Sequence, residues 1–211
     1  MATQHGLHTA DRLHLSAPRA AAPEVPATAA TAETTASAVG MRESAVAALR
    51  IGTGLVFLWA FLDKTFGLGY STPSARAWIH GGSPTKGFLG SVSAGPFQST
   101  FHSMAGQGWA DWMFMLALLG IGVALVAGVG LRIAAVAGTV LVAMMWFAVY
   151  PPARHAADGT ATGSSNPFVD EHVMDALALI AVAAFGTASR LGLGARWAKL
   201  PLVERHRSAL L

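Results

Sequence analysis

Residues 109–150 read WADWMFMLALLGIGVALVAGVGLRIAAVAGTVLVAMMWFAVY. Two apolar runs, 109–130 and 132–150, meet at a glycine turn followed directly by Arg132. Each run matches the roughly 20 residues that cross a hydrocarbon core of about 30 Å at a rise of about 1.5 Å per residue. Lipid offers no water to satisfy a backbone, so each run is predicted to be a helix and not a strand. A turn as short as Gly130, Leu131 and Arg132 makes the pair an antiparallel hairpin. Small residues recur at four-residue spacing, Gly120, Ala124 and Gly128 on the first run, Ala134 and Gly138 on the second. Such ridges let helix backbones approach closely where no hydrophobic effect drives association.

Working outward, residues 45–63 and about 170–189 form two further apolar runs. The sequence therefore predicts an all-α integral membrane protein, a bundle of four transmembrane helices within residues 44–190. Composition agrees: 12% of the chain is charged, against roughly 25% in soluble domains. Two loops, 64–108 and 151–169, lie on one side of the bundle. The longer one is expected to hold three short helices, opened at Thr72-Pro73, Ser83-Pro84 and Gly95-Pro96. The first would stop at Gly81, and the third would carry Phe97, Phe101 and Met104 on one face. A loop of this length is more often a lid or binding loop than slack. Residues 1–43, rich in Ala, Thr and Pro without apolar periodicity, read as a disordered tail. They hold no apolar run before a small-residue cleavage site, so a cleaved signal peptide is not expected. Residues 191–211 are basic, with Trp197 among leucines, and suit a lipid interface.

Charge placement sets the expected orientation. With both termini inside, ten Lys and Arg residues are cytoplasmic and four (Lys64, Arg76, Lys86, Arg154) lie outside. That asymmetry obeys the positive-inside tendency. The net charge of +3 is thus a topology signal, and nucleic acid is not an expected partner.

The chemistry concentrates at the outer end. The stretch 166–182, NPFVDEHVMDALALIAV, loads the start of the fourth run with Asp170, Glu171, His172 and Asp175. If Asn166 caps this helix and Pro167 is its first residue, Asp170 and Glu171 complement the macrodipole. Asp175 lies deeper, in apolar surroundings where an ionised carboxylate is costly and usually has a partner. Glu171 and His172 precede it by four and three positions and share its face. His172 is then either a structural partner of Asp175 or part of a proton-handling or ligand site. Asp63 and Lys64 end the first run, and Asp111 opens the second between Trp109 and Trp112. Trp59, Trp112, Trp146 and Tyr150 sit at the same level, either as an interfacial belt or as the walls of a site. Arg50, near the other end of the first helix, either snorkels to headgroups or sits inside the bundle against carbonyls at helix ends. Arg132 is read as a structural charge at the hairpin turn.

Several chemistries are set aside. Cysteine is absent, which removes Cys-ligated iron–sulfur clusters and c-type haem attachment within this chain. The glycines of GIG and GVG in the second run follow no strand, so a nucleotide fold is unsupported. His172 is the one histidine near a span, which argues against a haem held by two histidines across helices. His80, His102 and His155 lie in loops without diagnostic metal spacing, and no metal is expected.

The segment RIGTGLVFLWAFLDK, bracketed by Arg50 and Lys64, resembles the first helix of the DoxX-like family of bacterial membrane proteins. LLGIGVALVAGVGLRIAAVAG is similar to that family's second and third helices. TPSARAWIHGGSPTKGFLG, GWADWMF and NPFVDEHV resemble its actinobacterial DoxX or DoxD branch. The resemblance covers about residues 44–205. It implies a four-helix bundle in the bacterial plasma membrane. For DoxD-type members it implies the large subunit of a thiosulfate:quinone oxidoreductase. On that basis the chain is expected to be a quinone-linked oxidoreductase subunit, with quinone as cofactor and a membrane or peripheral redox protein as partner. Lys64 and His172 would bond the quinone carbonyls, Asp175 and Glu171 would move protons, and Trp59, Asp63, Asp111, Trp112, Trp146 and Tyr150 would shape the site. Lys64, Arg76 and Lys86 would draw in a small anion such as thiosulfate. The alternative is a non-catalytic scaffold that docks a redox enzyme or respiratory complex, and a homo-oligomer is compatible with either. A solute carrier is the weakest expectation, since broken helices and internal repeats are not seen.

Overall fold

The computed structural model describes residues 27–93, 95–150, 154–155, 159–161, 166–185 and 192–210. The chain divides into two compact units, Met1–Ala38 and Val39–Leu211. Within the first, residues 27–38 are helical. Among the described residues the second unit is helical apart from loops and one isolated bridge between His155 and Ala161.

The long helices are α1 (Ala27–Phe66), α4 (Gly108–Ala127), α5 (Leu131–Val149) and α6 (Glu171–Phe185). Between α1 and α4 lie two 3-10 turns, Ser74–Arg76 and Trp78–His80, and the short helices α2 (Lys86–Gly90) and α3 (Gln98–Met104). After α6 come α7 (Gly194–Trp197), α8 (Pro201–Arg205) and α9 (Arg207–Leu210). Among the described residues, three helices are long and apolar enough to cross a membrane: Thr35–Phe66 within α1, α4 and α5. The run expected to be a fourth span forms the helix α6, which is not among these three, and its 15 described residues rise only about 22 Å. The rest of the expected run, residues 186–189, lies outside the described residues.

Two corrections concern the ends. The expected tail of 1–43 is overturned from Ala27 onward, where α1 already runs. Its first residues, ATAATAETTASAVGM, lack apolar periodicity but are rich in alanine, the strongest helix former, and begin directly after Pro26. The hairpin turn is also displaced. Gly128 (φ 76°) ends α4 and Gly130 (φ 57°) caps α5, so Leu131 and Arg132 are already helical. Both glycines hold left-handed backbone that other residues rarely adopt.

Close packing does not follow the expected small-residue ridge throughout. A Cβ on Gly120 would meet nothing within 4 Å. One on Gly122 would lie 2.6 Å from Leu58 Cγ and 2.9 Å from its backbone nitrogen, and one on Gly54 would lie 2.9 Å from Leu125 Cβ. These two glycines bring α1 and α4 together antiparallel. Gly138 on α5 admits Leu179 of α6 and touches Ile121 of α4, so three helices meet there. The core around this point is Phe57, Met115, Leu118, Leu125, Leu179 and Val182.

Arg50 takes the second of its two alternatives. Its side chain is fully buried, and its guanidinium donates to the carbonyls of Leu125 and Val126 at the C-terminal end of α4, the latter at 3.1 Å. The same end receives the chain after α6, where Leu193 N–H donates to Ala127 at 2.7 Å. The C-terminal helices fold back here as well. Arg132 donates to the Ser208 carbonyl, Trp197 Nε1 donates to Leu210, and Val203 is fully buried. The basic tail is thus a docked helical segment.

Gly122→Leu forces α1 and α4 apart and lowers stability by about 1–3 kcal/mol, the usual cost of overpacking. Gly120→Leu, in open space, leaves it unchanged. Thermal unfolding of the two variants in detergent checks the pair.

Candidate functional site

Two buried carboxylates fasten the loop of residues 67–107 onto the end of the bundle. Asp63, in the last turns of α1 and 1% exposed, accepts from Tyr70 N–H at 3.2 Å, Ser71 N–H at 3.0 Å and Ser71 Oγ at 2.7 Å. Asp111, in the first turn of α4 and 6% exposed, accepts from Ser83 Oγ at 2.9 Å, Thr85 N–H at 2.9 Å and Thr85 Oγ1 at 2.6 Å. Charge-assisted hydrogen bonds of this kind are about twice as strong as neutral ones. The Thr85 hydroxyl also accepts from Gly106 N–H, and the Ser83 hydroxyl from Lys86 N–H, which ties the middle of the loop to its C-terminal end. The short helices start later than expected: Pro73 is itself the cap of the 3-10 turn Ser74–Arg76, a second 3-10 turn ends at Gly81 (φ 84°) as expected, Thr85 caps α2 and Phe97 caps α3.

Under this roof lies a cavity of about 1280 Å³. Its walls come from the first half of α4 (Trp109, Met113, Phe114) and the second half of α5 (Val140, Met144, Met145). Its polar end is lined by Lys64, Arg76, Lys86 and His80, and among the described residues no Asp or Glu lines it. Met113, Val140 and Met144 line the cavity and are exposed. The cavity therefore opens sideways, onto the faces of two candidate spans.

Of the residues expected to bond or shape a quinone site, Lys64 alone lines this cavity, joined by Arg76 and Lys86, which were expected with it to draw in an anion. Asp63 and Asp111 are loop anchors. The aromatic residues do not converge either. Trp59 packs edge-on against Tyr70 at 5.0 Å, Trp112 against Trp78 at 4.6 Å, and Trp146 against Phe147 and Tyr150. Trp146 Nε1 is buried with no hydrogen-bond partner among the described residues. On α6, His172 Nδ1 bonds Asp170 at 2.8 Å, while Asp170 Oδ1 accepts from Val173 N–H and so caps the helix. The cap is Asp170 where Asn166 was expected, because Asn166 instead closes the preceding turn by accepting from Phe168 and Val169. Asp175 is half-buried one turn further on, and Glu171 is exposed. His80 donates to the Ser74 carbonyl and His102 to the Val92 carbonyl. No group of three metal-ligating side chains occurs among the described residues.

Sequence reading missed Ser71, Ser83 and Thr85 as partners of the two acids, and Met113, Val140 and Met144 as a wall. The first three were legible only as turn formers, and the last three as ordinary lipid-facing residues. Comparison of the chain with protein families, curated proteins and solved structures finds no match.

Asp63→Ala frees the amides of Tyr70 and Ser71, and Asp111→Ala frees that of Thr85. Hydrogen exchange at those amides accelerates about tenfold or more, the equivalent of one hydrogen bond to a charged acceptor. His172→Ala leaves both sets of amides unchanged.

Proposed function

We propose that this chain is a four-helix membrane subunit, with α6 as the fourth span and both termini cytoplasmic, that admits a lipid-soluble ligand with an electron-rich head into the lateral cavity. A quinone serving a partner oxidoreductase, of the thiosulfate:quinone type in the version that the DoxX-like resemblance implies, is the ligand this reading names. The observation that supports it is the shape and chemistry of the cavity. Apolar walls run out onto the faces of α4 and α5, and Lys64 stands at the polar end. Ligand sites are typically apolar clefts with a few well-placed polar groups that fix orientation. In this reading a quinone ring lies against Met113, Phe114 and Met144, and the Lys64 ammonium donates to a ring carbonyl. The subunit supplies binding and orientation, and the partner supplies electrons. His172, Glu171 and Asp175 have no part, since none of them lines the cavity.

The scaffold reading is favoured by a separate observation. Asp63, Asp111 and the Asp170–His172 pair are each engaged in bonds that hold the chain's own loops and helix start.

Trp109, one of six tryptophans, lines the cavity. In nanodiscs a short-chain benzoquinone is expected to quench its fluorescence saturably, and the saturable component disappears in Trp109→Phe. Ala137→Phe, which fills the cavity from α5, weakens binding at least about tenfold, as overfilling a packed site by more than 1.4 kcal/mol does. Quenching that is unsaturable, or identical in Ala137→Phe, removes the ligand reading. Co-purification of a stoichiometric redox enzyme in the same preparation would then leave the scaffold.

A further inference from the structure

The polar end of the cavity carries more positive charge than a neutral head needs. Lys64, Arg76 and Lys86 all line it, and none has a carboxylate oxygen within 4.0 Å of its nitrogens among the described residues. The acids on the same end are already committed. Asp63 and Asp111 turn their oxygens to Tyr70, Ser71, Ser83 and Thr85. The Lys64 ammonium finds a hydroxyl, Ser71 Oγ at 3.4 Å. Arg76 and Lys86 are exposed and Lys64 is half-buried, so an anion that enters the cavity meets three cations and, among the described residues, no acid in its lining.

The opposite end of the cavity says what the anion is attached to. Met113, Val140 and Met144 are 62%, 54% and 45% exposed on helices long and apolar enough to span a bilayer. In a membrane that surface is covered by acyl chains. The volume of about 1280 Å³ exceeds the roughly 300–1,000 Å³ of ordinary small-ligand pockets, enough for a phosphate-linked head and the first part of its chains. A small soluble anion would use the cations and leave the apolar wall empty.

We propose that the cavity holds an anionic phospholipid. Its phosphodiester lies among Arg76, Lys86 and Lys64, and its chains lie along α4 and α5. This rests on the reading of the cavity as an amphiphile site and specifies the charge of the head. A neutral quinone then enters by displacing the lipid.

The test is thermal unfolding of the delipidated full chain in a zwitterionic detergent, with phosphatidylglycerol, phosphatidylcholine or inorganic phosphate added in turn. A ligand that binds only the folded state raises the melting temperature, and raises it further as its concentration increases relative to its dissociation constant. Phosphatidylglycerol is expected to raise it by several degrees more than phosphatidylcholine, and the excess vanishes in Arg76→Gln/Lys86→Gln. Should that variant not fold, the comparison of the two lipids on the wild-type chain decides. Equal stabilisation by both lipids overturns the anionic head and leaves the amphiphile site standing. An effect of inorganic phosphate equal to that of phosphatidylglycerol overturns the lipid in favour of a free anion. Stabilisation by neither lipid, with benzoquinone quenching also absent, removes both readings together.

Discussion

The packing of the second unit depends on one buried cation. Arg50 carries a full charge into a buried position between α1 and the end of α4, and an unpaired charge there would be strongly destabilising. It is accommodated because α4 ends beside it. The last carbonyls of a helix lack intrahelical partners and carry the negative end of the macrodipole. Arg50 donates to two of them, and Gly128 and Gly192 leave room for the guanidinium, with a Cβ at either one falling 2.7 Å or 3.4 Å from its nitrogens. Each group solves the other's problem. The register of α1 against α4 follows, since Arg50 meets the end of α4 only when Gly54 lies at Leu125 and Leu58 at Gly122.

That register fixes what happens at the other end. Asp63 and Lys64 leave α1 beside the start of α4, where Asp111 stands. Both carboxylates turn upward into the loop and collect backbone and hydroxyl donors, so the loop is tied down at Ser71 and at Ser83–Thr85. The roof this makes is what gives Arg76 and Lys86 a place over the cavity. The acids thus act on the site by neutralising donors in the loop, and the cations are left to face whatever enters.

The residues legible from the sequence alone were those whose role is local. Pro73, Pro84 and Gly81 punctuate the loop where the chain's own backbone rules require, and the apolar runs of α1, α4 and α5 are set by length and composition. Asp111 and Asp63 were legible as conspicuous acids near apolar spans, but their partners were not, because Ser71 and Ser83 lie 8 and 28 residues away. His172 illustrates the opposite error of spacing. Helical periodicity points it at Asp175, but Asp170 sits two residues before it in non-helical backbone and reaches the ring first.

Residue order alone dictates a helical chain with apolar segments of membrane length, the turns that divide them, and a concentration of ionisable groups at one end. These are properties of neighbouring residues, governed by rise per residue, side-chain propensity and the need of a backbone in lipid to bond to itself. Which of those groups share a space is settled by the packing of helices against one another. Successive residues on a helix point about 100° apart, so the rotation of α4 and α5 about their axes selects Met113 and Val140 for a cavity wall and sends Trp112 and Trp146 to aromatic neighbours. That rotation is set by contacts such as Gly122 with Leu58, which join residues far apart in the chain and leave no mark in either local segment.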